Sequence, residues 1–413
     1  MYSILNAVFF ESGFPPYRRE GSRCFCFPHI TPNKTYNEFF FTLITTRLCQ
    51  SNNSAKKIVL RLIGKKSAPH NPFLNEYHWR DARITSLAKN PVVLSDAQVQ
   101  ELTAFRKRYD EHYDVKNHVF FKETRGEYNP YYVPNGFHYM VIDKFYNDWN
   151  MALYVDNKCL YNRLLNVRQP ELVCSRMNGF WYDAAGNMLT EEQALACMMA
   201  QPECFLKIAR DSYCGKGVTY FSPETVKDRS HIEECLKSVG TNDFVVQKAL
   251  KQSPVTAAFA ASSVNSLRVY TLLRKDGSVK VYSIILRLGM GNAKEDNAHS
   301  GGICIGVSLD GQLADKAYSV SGETFTEHPI SHVHFADVKL PNMEKVLDLV
   351  AKAHPQLPYF RLVGWDVALD EHNEPVLLEA NMAHPGVEVL QLCNGPLFDD
   401  DLHAILEEVC GKR

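Results

Sequence analysis

An aspartate, a glutamate thirteen positions later and an asparagine two beyond that stand in otherwise apolar sequence: Asp366, Glu379 and Asn381. The stretch 364–386 reads GWDVALDEHNEPVLLEANMAHPG. A strand projects residues i and i+2 to one face. LLEAN therefore sends Glu379 and Asn381 one way and Leu378 and Ala380 the other. Between the two apolar runs, DEHNEP is turn chemistry, and the simplest geometry is a β-hairpin that sets Asp366 beside the Glu379/Asn381 pair. Three converging oxygen donors make a hard-cation site, suited to Mg²⁺ with phosphates completing its shell. A solvated outer face of an amphipathic hairpin is the other reading of the same pattern.

Cationic and glycine-rich segments lie upstream. FLKIARDSYCGKGVTYF (205–221) predicts a strand, a polar loop with Gly215, Lys216 and Gly217, and a second strand. Glycines let backbone amides approach phosphate oxygens, and Lys207 and Lys216 bring positive charge. The segment has neither Walker A nor GxGxxG spacing, and GKG also suits a plain hairpin turn. VVQKALKQ (245–252) ends a β-rich run, where edge backbone can hydrogen-bond an adenine or simply leave the sheet. Arg268 and Arg287 sit in strand-like apolar sequence, which suits either an internal ion pair or an anion site. EDNAHSGG (295–302) is a polar loop ending in a glycine pair. His299 there and His384 carry no further signal and are read as solvent-facing.

The elements that must position these residues follow from pattern. DNKCLYNRLL (156–165) predicts a helix start with Asp156 as N-cap and Leu160, Leu164 and Leu165 on one face. ECFLKIAR and DFVVQKAL predict strands flanking a helix around 223–240, which Gly240 can end. After Pro254, SLRVYTLLR, VKVYSIILRLG and ICIGVSL predict strands, MEKVLDLVAKA a helix, and the closing hairpin completes an α+β arrangement, antiparallel in its last third. Residues 1–150 are aromatic-rich, most densely at 128–150, and those aromatics read as core and interface.

With 413 residues, 45% hydrophobic and 22% charged, the chain has room for two or three subdomains. A formal net charge of −2 gives no bulk attraction to nucleic acid or anionic membrane. No run approaches a membrane span, and the N-terminus lacks a basic region before its apolar patch. The 12 cysteines have no framework spacing, with Cys24 and Cys26 the one tight pair, so free thiols in a reducing cytoplasm are expected. Surface aromatics in the first 150 residues predict a tendency to self-associate into a homo-oligomer.

Taken in order from about Asp156 to Glu388, these segments resemble the ATP-grasp superfamily, and within it the sugar-transfer-associated branch. The resemblance implies an ATP-grasp fold, with the nucleotide between two β-rich subdomains and a mixed N-terminal domain before them. It implies boundaries at 1–150, 151–200 (a helical segment before the grasp), 201–254 (lid) and 255–413 (metal-bearing subdomain). DNKCLYNRLL is similar to the helix whose lysine meets ATP phosphates, here Lys158. FLK gives Lys207 against the α/β-phosphates, and DSYCGKG resembles the lid loop with Gly215, Lys216 and Gly217. Gln247, Lys248, Ala249 and Leu250 match the hinge that reads adenine. VNSLRV and LRLG…DNAHSGG resemble the branch's own signatures and carry Arg268, Arg287 and Asn297. Asp366, Glu379 and Asn381 reproduce the metal-ligand spacing of D-alanine–D-alanine ligase-like members. Those ligases carry an arginine two residues before the aspartate, where this chain has Gly364, so Arg268 or Arg287 must supply that charge.

The implied activity is amide formation from a carboxylate and an amine through an acyl phosphate, with ATP and Mg²⁺ as cofactors and sugar- or peptide-linked compounds as substrates. A phosphotransferase on the same fold and a non-catalytic ATP-binding module are the alternatives.

Overall fold

The computed structural model describes residues 72–88, 93–110, 112–210, 217–290, 301–383 and 385–411. All fall within one compact unit, 71–413. The described residues open with helices α1 (Pro72–Leu87), α2 (Asp96–Lys107) and α3 (Lys116–Arg125). Next comes α4, a continuous run made of Asn135–Phe137, a π-helical His138–Ile142 and Asp143–Tyr146. Two short helices follow, α5 (Trp149–Val155) and α6 (Lys158–Leu164). Many aromatics of this region are core residues, among them Tyr77, Phe120, Phe121, Tyr132 and Phe137, whereas Trp79, Phe145 and Tyr154 are exposed.

The N-cap of α6 differs from expectation. Asn157, not Asp156, accepts from the Cys159 amide. The Asp156 carboxylate instead accepts from the Tyr161 hydroxyl at 3.0 Å. Both side chains cap well, and a one-residue choice between neighbouring caps is made by the tertiary partner.

Residues 172–248 build the first sheet. Its strands are β1 (Leu172–Met177), β2 (Phe180–Asp183), β3 (Met188–Leu189), β4 (Cys204–Ile208), β5 (Val218–Phe221) and β6 (Phe244–Lys248), in the order β3-β2-β1-β6-β4-β5 and antiparallel throughout. Helices α7 (Glu191–Met199) and α8 (Arg229–Val239) cover one face through Leu195, Met198, Ile232 and Leu236. Gly240, at φ 62°, ends α8 as its position in the sequence predicts.

After α9 (Pro254–Ala257), the second sheet comprises β7 (Leu267–Leu273), β8 (Val279–Leu288), β9 (Ile303–Val307), β10 (Leu313–Tyr318), β11 (Thr324–Phe325), β12 (Leu362–Leu369) and β13 (Pro375–Asn381). The order is β11-β10-β9-β8-β7-β12-β13, again antiparallel. This sheet is covered on both faces. One face packs on α5, α6 and α10 (Met343–Ala353), the other on α1, α3, α4, α11 (Val387–Asn394) and α12 (Leu402–Cys410). Double coverage explains why every residue of β12, LVGWDVAL, is buried, and why the sequence there is apolar without alternation. Trp365, fully buried, donates Nε1 to Thr271 Oγ1 at 2.8 Å. Among the described residues no helix is long and apolar enough to cross a membrane.

The closing hairpin forms, with Asp366 opposite Glu379 and Gly364 opposite Asn381. A bulge follows, because Val367 faces Leu377 rather than Leu378. The extra residue resets the alternation, so Leu377 and Ala380, not Leu378 and Ala380, belong to the core.

Candidate active site

Strand register alone brings the acidic and basic candidates to one face. Asp366 pairs with Glu379 on one side and Arg268 on the other, and directly opposed residues share a face. Asn381 joins them two positions along β13. The β7–β8 hairpin contributes both arginines.

Asp366, 3% exposed, is the centre of this cluster. Arg268 embraces it with two bonds, Nε to Oδ1 and Nη2 to Oδ2, the second at 3.0 Å. Arg287 Nη2 lies 3.0 Å from the same Oδ2. Burial pushes the carboxyl up, but the Arg268 and Arg287 guanidiniums, with hydrogen bonds from Arg268 and Asn381, outweigh it and hold the group below the ordinary aspartate value. Arg268 Nη1 also donates to Pro385 O. Gly364 has a steric purpose here. A Cβ on it would come within 2.9 Å of Pro385 Cβ and 3.1 Å of Arg268 Cδ, so the aliphatic stem of Arg268 fills the space a side chain at 364 would need.

Glu379 is reached from two other elements. Lys158 Nζ, at the first position of α6, lies 2.8 Å from Glu379 Oε1. Burial works against the Lys158 ammonium, yet Glu379, Asp156 and Asp366 raise its pKa above the ordinary lysine value. Lys207 comes from β4 of the first sheet. Burial lowers it to about 8, only partly opposed by Glu379, and Lys158 lowers it further. Four cationic groups therefore meet three carboxylates, an excess of positive charge at the junction of the two sheets. Such a surplus suits a polyphosphate anion.

The donor set also fits a hard divalent cation. Among the described residues no group of three His, Cys, Asp or Glu side chains could hold a metal unaided. Here Asn381 and ligand oxygens would make up the shell. The Glu379 side chain is 30% exposed, and Asn381 commits its nitrogen to Gly364 O at 3.1 Å, keeping Oδ1 for a cation. Asp366 is enclosed by its arginines, so its share of a metal would require an arginine to move.

The remaining candidates are less closely gathered. Gln247 is buried within β6, flanked by Leu172 and Phe205. Lys248 is exposed and ion-paired to Glu171, and its amide donates to Glu171 O at 2.9 Å. Ala249 and Leu250 follow, half-buried, between β6 and α9. Gly217 has φ 79°, and a Cβ there would meet the Ile208 side chain at 2.7 Å. Its carbonyl accepts from the Ile208 amide at 2.9 Å, so this glycine serves the β4–β5 hairpin. Gly215, Lys216, Asn297, His299 and His384 lie outside the described residues.

Two residues that the sequence reading passed over belong to the site. Ser266 Oγ accepts from Arg287 Nη2 at 2.6 Å and from Nε at 3.2 Å. Tyr139 Oη, from α4, accepts from the Gly386 and Val387 amides at 3.0 and 3.2 Å. A serine beside a strand arginine has no distinctive signal. A tyrosine 247 residues from its partner has none at all.

Two antiparallel sheets meeting at a lysine- and arginine-rich centre define an ATP-grasp fold. The chain belongs to the sugar-transfer associated ATP-grasp family, whose model matches residues 141–407, more than half of its length. No curated protein matches it. Among solved structures it is similar to N5-carboxyaminoimidazole synthetase from Staphylococcus aureus complexed with ADP (11% identity, 58% of this chain, 47% of that one, TM-score 0.35). It is also similar to D-alanyl-alanine synthetase A from Vibrio cholerae (12% identity, 64% and 65%, TM-score 0.36). A third is the ATP-grasp ligase PsnB complexed with minimal precursor (15% identity, 74% and 73%, TM-score 0.35). The chain spans less than two thirds of the length of the first two.

Proposed function

We propose that this protein is an ATP-dependent carboxylate–amine ligase that forms an amide through an acyl phosphate, on substrates linked to a sugar or peptide. The observation that carries the reading is the meeting of Lys158, Lys207, Arg268 and Arg287 around Asp366 and Glu379 at the junction of the sheets. In this reading residues 201–254 are a lid over the nucleotide and 255–413 hold its phosphates. Gln247 to Leu250 flank the adenine, and Lys216, Gly215 and Gly217 belong to the lid loop.

Lys158 and Lys207 hold the phosphate chain. Arg268 and Arg287 bind the substrate carboxylate and offset charge as its oxygen attacks the γ-phosphorus, the bond to the β,γ-bridging oxygen breaks and ADP leaves; Asn297 belongs to the loop that completes this pocket. Glu379 and Asn381, with Asp366, would hold Mg²⁺, which neutralises phosphate charge when bound. The amine then attacks the acyl carbon, phosphate leaves, and the amine's proton can pass to the departing phosphate. Positioning and charge neutralisation supply most of the rate.

The test is ADP release from Mg²⁺–ATP with pooled carboxylates and amines, followed by mass spectrometry. ADP release that needs both pools, with a product lighter by one water than its parts, is expected. A product heavier by a phosphate would replace ligase by kinase, and nucleotide binding without turnover would leave a binding module.

A further inference from the structure

Arg287 is held by more than Asp366. Its amide donates to Ser266 O at 2.8 Å, while Ser266 Oγ receives both Nε and Nη2 of its side chain. Ser266 is 1% exposed. The neighbouring Asn265, equally buried, accepts the Gly289 amide on Oδ1 at 3.0 Å. Its Nδ2 donates to Thr256 O at 2.9 Å, Ala260 O at 2.8 Å and Gln252 Oε1 at 3.1 Å. Gln252 in turn accepts the Asn265 amide at 3.1 Å and donates to Ala260 O and Ser263 O at 3.0 and 2.6 Å. On the far side, Gly289 O is paired with His328 Nε2 at 3.1 Å.

An arginine side chain has several rotatable bonds and much rotamer entropy to lose on being fixed. Only a partner with its own position fixed can hold it in one place. Ser266 meets that condition, because the Asn265–Gln252 network ties its backbone to the segment that follows β6. From this geometry we infer that Ser266 is a positioning residue for Arg287. It sets the guanidinium on Asp366 and orients it toward the anion that the site receives. Asn265 anchors the step and also fixes Gly289, just beyond Arg287. The inference rests on the ligase reading for the identity of that anion. The positioning itself does not depend on it.

A double-mutant cycle on the full chain tests this, using Ser266→Ala, Arg287→Ala and both together. With substrates identified by their ADP release, Ser266→Ala should lower kcat at least tenfold and leave the Kd for Mg²⁺–ATP within twofold. It should have no further effect in the Arg287→Ala background, and Ser266→Thr, which keeps the hydroxyl, should restore most of the loss. Additive effects would overturn the proposal. Crystal structures of wild type and Ser266→Ala with a non-hydrolysable ATP analogue decide the matter without turnover. In the variant the Arg287 guanidinium should leave Asp366, and an unmoved arginine would overturn the proposal even if no substrate were ever found. Should Ser266→Ala fail to fold, Ser266→Cys enters the same cycle and the same crystallographic comparison.

Discussion

Lys158 Nζ and Glu379 Oε1 stand 2.8 Å apart, although 221 residues separate them along the chain. The first opens a helix that precedes both sheets, and the second lies on the last strand of the second sheet. One ion pair thereby ties α6 to β13. In the proposed reaction both charges would engage the nucleotide and its cation, and on that reading the pair marks where ligand binding would rearrange the protein.

Glu379→Gln keeps the shape of the side chain and removes the charge that Lys158 and a cation require. ADP release should fall by about 10²-fold or more, the scale of losing a group that stabilises transition-state charge. Nucleotide binding should survive in part and the melting temperature should change little, since the side chain is 30% exposed. An unfolded variant would return the hairpin to a structural role.

Asp366→Asn should behave differently. It would leave Arg268 and Arg287 buried without their carboxylate, and breaking a buried ion pair from one side costs about 3–5 kcal/mol. Urea unfolding without nucleotide or Mg²⁺ should show that loss. Equal stability of Asp366→Asn and wild type would contradict the placement of the two guanidiniums.

Lys207 predicts a pH signature. Its pKa of about 8 lies below the ordinary 10.5, chiefly through burial. An arriving phosphate favours the ammonium, so binding Mg²⁺–ATP above pH 8 should take up a proton. Calorimetry in buffers of different ionisation enthalpy would reveal it, and Lys207→Met should abolish it. Affinity should weaken as pH rises past 8. Stability runs the other way: between about 8 and 10.5 the unfolded chain holds more protons at this group, so its contribution to stability grows with pH there. Binding without proton uptake would place Lys207 away from the phosphates.

Gly364→Ala adds one methyl group against Pro385 and Arg268. Overpacking of this kind costs about 1–3 kcal/mol. The displaced Arg268 should also lower kcat more than it changes the Kd for nucleotide. An active, fully stable variant would show that Arg268 does not need that space.

The hairpin that gathers Asp366, Glu379 and Asn381 was legible because hairpin geometry translates directly into sequence: period-two alternation on β13, turn residues at 370–374 and an apolar run on β12. The bulge after Asp366 was not, since an extra residue leaves no local signal when both neighbours are leucines. Gly240 marked the end of α8 because positive φ favours that residue type, whereas Asp156 and Asn157 are equivalent as caps until Tyr161 decides between them. Arg268 and Arg287 looked alike as internal pairs or anion ligands, and they converge on one carboxylate. The π-helical turn in α4, the Tyr139 contact and the service of Ser266 to Arg287 depend on partners far away in the chain, which composition and periodicity do not reveal.

The core that α1 shares with α12 has a consequence for biosynthesis. Tyr77 of α1 and Leu406 of α12 belong to one apolar cluster, and Tyr146 donates to Glu408 at 2.8 Å. Helices α1 to α4 emerge from the ribosome long before the strands and helices that cover them. Their apolar faces must wait, exposed, while roughly two hundred and fifty residues are added at about 5–20 per second. High contact order of this kind slows folding and makes the nascent chain a client for chaperones. Loss of α12 would uncover the part of this apolar cluster that Leu402, Ile405, Leu406 and Val409 fill.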